Sequence, residues 1–151
     1  MLLSKSCVYG LRAALFLSAG EQGQYIPIRS MSEKLDISFH FLTKILQQLT
    51  AEGLLESYKG PNGGVRLTRG SDEVSLLDIV RAIDGDAMFK ECALGLPGCG
   101  HMTPCPMHDK WTVTREQIRD MLEGTTLKEL SSRGKEFNLR INATGGFEGF
   151  A

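Results

Sequence analysis

The sequence contains no run of about 18 consecutive apolar residues, the length a bilayer-crossing helix needs, so no membrane span is expected. It also has almost no net charge, −1 from 17 basic and 18 acidic residues, which excludes a chain that is basic throughout. No phosphate-binding Gly-Lys-Ser/Thr loop, paired-carboxylate motif or Cys–His pair at a catalytic spacing is present, so no enzyme is expected. No segment repeats, which sets solenoids and propellers aside. The residues after Lys5 show no cleavage pattern, and with no signal peptide a cytoplasmic location is expected. In that setting 4 cysteines read as reduced thiols for metal or redox chemistry, not as disulfide staples.

What is present is unevenly distributed. Residues 1–70 carry 8 Lys/Arg against 5 Asp/Glu, and residues 71–151 carry 9 against 13. The first half can therefore face a polyanion. Residues 5–19 are apolar nearly all round and predict a buried helix stopped by Gly20. Ile28, Met31 and Leu35 mark a short helix, and Asp36-Ile37-Ser38 a tight turn with Ser38 as N-cap. Phe39, Leu42, Ile45, Leu46 and Leu49 form one stripe of the next helix, opposite His40, Thr43, Lys44 and Gln47. That order is the shape of a helix-turn-helix. Strands are predicted at 54–58 and 65–68, with Lys59-Gly60-Pro61-Asn62-Gly63-Gly64 between them as a hairpin turn. A hairpin directly after a helix-turn-helix is a wing. Candidate DNA contacts are Ser38, His40, Thr43, Lys44 and Gln47 on the helix and Lys59, Asn62 and Arg66 on the wing. Ser75 and Thr126 read as caps of later helices. A longer helix is predicted from about Pro106 to Leu122, with Trp111, Ile118, Met121 and Leu122 apolar. Arg115 and Arg119 fall on its other faces.

The densest chemistry lies between the wing and the end of the chain. Cys92, Cys99 and Cys105 are separated by six and five residues, among Gly95, Pro97, Gly98, Gly100 and Pro104. Such a loop wraps an object in place of packing as an element. Thiolates hold iron–sulfur clusters and also zinc, although the absence of a Cys-x-x-Cys knuckle suits zinc poorly. Cys105 precedes a helix start, where the positive dipole end favours a thiolate. His101 reads as loop surface and Cys7 as a buried helix cysteine.

On the wing Lys59-Gly-Pro-Asn-Gly-Gly-Val65 and on Cys105-Pro-Met-His108 followed by Trp111, residues 1–132 resemble the Rrf-two family of winged-helix transcription regulators. The resemblance implies a mainly α fold with a small β-wing, a winged helix-turn-helix DNA-binding domain and a long C-terminal dimerisation helix. It implies a homodimer on a pseudo-palindromic double-stranded DNA operator. It carries Cys92, Cys99 and Cys105 onto three cluster ligands, and His108 onto the histidine ligand of the iron–sulfur assembly regulators. A 2Fe–2S cluster is favoured slightly over 4Fe–4S. Where other members use a first-helix carboxylate this chain has Val8, which cannot ligate, and Cys7 beside it is the rival to His108. The expected parts are a DNA-binding domain (1–84), a cluster-binding loop (85–105), a dimerisation helix with a short last helix (106–132) and a flexible tail (133–151). The function implied is sensing of redox, nitric oxide or iron status. The alternatives are a cluster-free regulator sensing oxidants through its thiols, or one regulated by docking a metabolic enzyme.

Overall fold

A segment without a polar face can only be central, and residues 5–19 are central. In the computed structural model, which describes residues 2–147, they form helix α1 (Lys5–Ala19). Ser4 caps it, its Oγ accepting from Cys7 N at 3.0 Å, which satisfies one of the donors left open at a helix start. Ser4 N also donates to Asp84 Oδ2 at 2.9 Å, fixing this end of α1 to the end of a later helix.

Helices α2 (Ile28–Leu35) and α3 (Phe39–Ala51) follow, with Asp36 between them in the left-handed region at φ 53°. Ile37 is buried and closes the turn from inside. Leu42, Ile45, Leu46 and Leu49 bury the expected stripe of α3 against α1 and α4; each fully buried side chain of this size contributes about 1.5–3 kcal/mol. Ser38 occupies the N-cap position but makes no side-chain cap bond.

The wing is strand β1 (Leu55–Tyr58) paired antiparallel with β2 (Gly64–Leu67), from Leu55 opposite Leu67 to Tyr58 opposite Gly64. The first strand starts one residue later than expected and ends where expected, and the second runs one residue earlier; Ile26 adds a short bridge against Val65, with bonds of 2.9 and 3.0 Å, beside Gly64. A Cβ at Gly64 would stand 2.2 Å from Ile26 O, so only glycine admits this approach.

Helix α4 (Leu76–Asp84) starts with a reciprocal box between Ser75 and Asp78. A single turn, α5 (Ala87–Lys90), is too short to leave a periodic signature and was not expected. Helix α6 spans His108–Glu123, and α7 (Leu127–Glu136) is capped by Thr126 as expected. A second small core of Cys7, Leu77, Val80, Phe89 and Leu122 joins α1, α4, α5 and α6.

The flexible tail expected over 133–151 is corrected for its described part. Residue 133 lies within α7, and residues 137–147 fold back onto the protein. Ile141 and Phe147 are buried, and Asn142 Nδ2 donates to Lys34 O at 2.8 Å. Two apolar side chains, spaced six apart among polar residues, suffice to dock the segment but make no periodic pattern. Residues 148–151 lie outside the described residues.

Gly64→Ala should lower the thermal midpoint by several degrees, a loss of about 1–3 kcal/mol from overpacking. Gly100→Ala, with open space around its Cα, should leave the midpoint unchanged in the same calorimetric scan.

Candidate metal centre and nucleic-acid interface

The helix-turn-helix and the wing leave one polar face. Ser38, His40, Lys44 and Gln47 are exposed on or beside α3, and Lys59 and Asn62 at the wing tip. Between them lies a groove of about 480 Å³, lined by Arg29, Thr43, Gln47, Lys59 and Gly63 among others. Thr43 is half-buried, and its hydroxyl donates to Phe39 O at 2.7 Å, within its own helix. Arg66 does not join this face as a free cation. Its Nε meets Glu56 Oε1 at 2.5 Å, its Nη1 donates to Gly23 O at 2.8 Å, and its guanidinium lies 4.3 Å from the Tyr25 ring centroid.

The cysteine loop hangs from α6 at both ends. Glu91 O, one residue before Cys92, accepts from Trp111 Nε1 at 2.9 Å and from Arg115 Nη1 at 3.3 Å. At the far end Cys105 O accepts from His108 N at 3.0 Å, where α6 begins. Between these anchors the soft donors stand in two pairs. Cys92 Sγ lies 3.4 Å from Cys105 Sγ, and Cys99 Sγ lies 3.6 Å from His108 Nδ1. His108 is only 4% exposed, so it is no surface histidine. His101 is exposed on the loop and places its Nδ1 3.3 Å from His108 Nε2. Among the described residues no three Cys, His, Asp or Glu side chains stand close enough to hold a single metal ion.

The two paired thiols are not equivalent. Backbone N–H groups of Leu94 and Leu96, then the Cys105 thiol, favour the Cys92 thiolate and hold its pKa below the ordinary thiol value. Cys105 is pushed up, first by its contact with Cys92 and then by burial. This corrects the expectation that the helix start favours the Cys105 thiolate. The Met107 N–H acts in that direction but is outweighed.

Cys7 is fully buried in the second core. Burial, followed by the Asp84 charge, pushes its thiol up to about 12, so it is held protonated and unsuited to ligation.

Sequence reasoning missed Arg115 as part of this site. His108, Trp111 and Arg115 follow at i, i+3 and i+7, one face of a helix, and that spacing was the available signal. Arg115 Nη1 also donates to Cys99 Sγ at 3.3 Å.

A helix-turn-helix with a wing, followed by a thiol-bearing loop set on a long helix, defines a class: winged-helix transcription regulators. The profile described as "Rrf2: Iron-dependent Transcriptional regulator" matches residues 3–133, and the chain belongs to the Rrf2 family. The HTH-type transcriptional regulator IscR of Aliivibrio salmonicida is 31% identical over 130 residues, covering 86% of this chain and 77% of that protein. Among solved structures, Staphylococcus aureus CymR is 29% identical with a TM-score of 0.68, covering 85% of this chain and 96% of that one. The global cysteine regulator CymR of B. subtilis shares the fold at a TM-score of 0.75 and 24% identity, covering 87% of this chain and 96% of that one. The chain is thus a DNA-binding transcription regulator and not an enzyme. No described helix is long and apolar enough to cross a membrane.

Lys59→Ala should weaken binding to any duplex and reduce the slope of log affinity against log salt by about 1. Arg66→Ala should change that slope less, since Arg66 is already engaged by Glu56 and Gly23. Anisotropy titrations across a salt series measure both.

Proposed function

We propose that the protein is a cytoplasmic homodimer that binds a pseudo-palindromic double-stranded operator and reports redox, nitric oxide or iron status through an iron–sulfur cluster, with 2Fe–2S preferred. The observation that carries this is the pairing of Cys92 with Cys105 and of Cys99 with His108, the first residue of the helix that also packs on the DNA-binding domain. Three thiols and an imidazole suit a cluster by their chemistry. The protonated, fully buried state of Cys7 favours His108 over Cys7 as the fourth ligand. Bound there, the cluster would supply one-electron chemistry and a sulfide-bridged iron centre open to nitric oxide and to iron loss.

The protein's own part is mechanical. Cys92 and Cys105 bring the two ends of the loop together, and Cys99 with His108 ties its middle to α6. Helix α6 rests on α4 through Leu122 and Ile118 against Leu77 and Val80. Helix α4 in turn accepts two bonds from the recognition helix, Gln48 Nε2 to Ala82 O and Ile83 O, each 3.2 Å. A tightened or slackened loop therefore acts on the placement of α3. The outer side of α6 exposes Val113 (59%) and Met121 (60%), with Gln117 midway between them at helical spacing. These two exposed apolar side chains support pairing with a second copy, which would set two recognition helices at a fixed separation. The operator then has two half-sites related as the two protomers are. Sensing requires the two loop states to differ in operator affinity, by linkage.

One contact favours a second reading. Cys92 and Cys105 at 3.4 Å stand where a peroxide could oxidise both thiols to a disulfide, releasing two waters. This would be a cluster-free thiol sensor.

Protein purified without oxygen should be coloured and contain both iron and sulfide. Cys92→Ser, Cys99→Ser and Cys105→Ser should each lose the colour, whereas Cys7→Ser keeps it. Colourless protein that resists reconstitution with iron and sulfide contradicts the cluster and leaves the thiol sensor.

A further inference from the structure

Arg115 is a cation without an anion. Among the described residues it forms no ion pair with a carboxylate. Its Nη1 donates to a backbone carbonyl, Glu91 O, and to Cys99 Sγ, while its Nε is buried with no acceptor. Burying a guanidinium N–H unpaired is costly, and a polar atom left so in a folded protein points to a missing partner. The guanidinium lies on the same face of α6 as His108 and touches a thiol of the proposed ligand set. Thr112 Oγ1, between them on that face, is also buried without a partner among the described residues.

We infer that Arg115 is a positioning residue that orients the Cys99 sulfur and raises the reduction potential of the iron–sulfur group held by Cys92, Cys99, Cys105 and His108. The inference rests on the cluster reading above. Three thiolates bring three negative charges to the site and the imidazole none. One electron taken from a one-electron donor adds a further negative charge, with no bond made or broken. A partly buried guanidinium against one ligand sulfur stabilises the more negative state more strongly. Hydrogen bonds to cluster sulfurs and net charge are two of the protein's means of setting such potentials. The same side chain clasps Glu91 O at the loop's root, so a change of charge at the site is felt where the loop joins α6.

The test is the midpoint potential of the anaerobically loaded full chain, followed by visible absorption during titration with dithionite-reduced mediator dyes. Arg115→Met should shift the midpoint to more negative values at unchanged iron and sulfide content. Arg115→Lys, which keeps the charge but loses the fork, should fall between Arg115→Met and the wild type. Equal potentials in the wild type and Arg115→Met overturn the inference and leave the cluster standing. A wild type that takes up no iron and sulfide removes both. Should Arg115→Met assemble nothing, Arg115→Gln is measured in its place and the same downward shift is expected. Failure of that variant to load while folded by circular dichroism also overturns the inference, because Arg115 would then be a residue of assembly.

Discussion

The carbonyl of Glu91 accepts from Trp111 and Arg115, both side chains of α6, and the loop that leaves Glu91 returns to start that same helix at His108. Both ends of the cysteine loop are thus fixed to one rigid element. The loop has little else to hold it: Cys92, Cys99 and Cys105 are half-buried, and most residues between them are exposed. Its conformation is set by anchors at its ends and by what its four soft donors do between them. If either anchor were lost, the donor pairs would have no reason to face each other.

The same face of α6, followed towards its far end, gives this constraint its reach. Leu122 and Ile118 share the second core with α4 and α1, and Cys7 is a packing residue of that core. A thiol that burial holds protonated is a small hydrophobe here. The two cysteine populations are therefore separated by physics: one fills a core, and three lie where backbone donors and a cation can reach their sulfurs. The DNA-facing residues divide in the same way. Lys59 stays exposed at the wing tip, whereas Arg66 is bound into the wing by Glu56, Gly23 and Tyr25.

How much of this could be read in the residues follows from the range of the interactions. The helix-turn-helix was legible because the α3 stripe is periodic and its turn is short. The wing was legible because a Gly-Asn-rich turn between short strands has few other uses. The four soft donors were legible from residue chemistry alone. Their division into Cys92–Cys105 and Cys99–His108 pairs was not, since loop spacing does not encode which sulfur meets which. The docking of Ile141 and Phe147 rests on contacts with α7 and its neighbours that leave no pattern in sequence. The engagement of Arg66 and of Arg115 is likewise a matter of tertiary partners: a basic residue looks the same in sequence whether it faces DNA, a carboxylate or a thiolate.

The central claim is that the state of the loop governs the placement of the recognition helices. The direct measurement is operator affinity of the cluster-loaded and the metal-free protein, at one salt concentration, on a duplex that the protein itself has selected from a random pool. The account predicts affinities that differ by about 5-fold or more, the scale of coupling typical between linked sites. Equal affinities, with both forms folded and the loaded form retaining its iron and sulfide throughout, would contradict it.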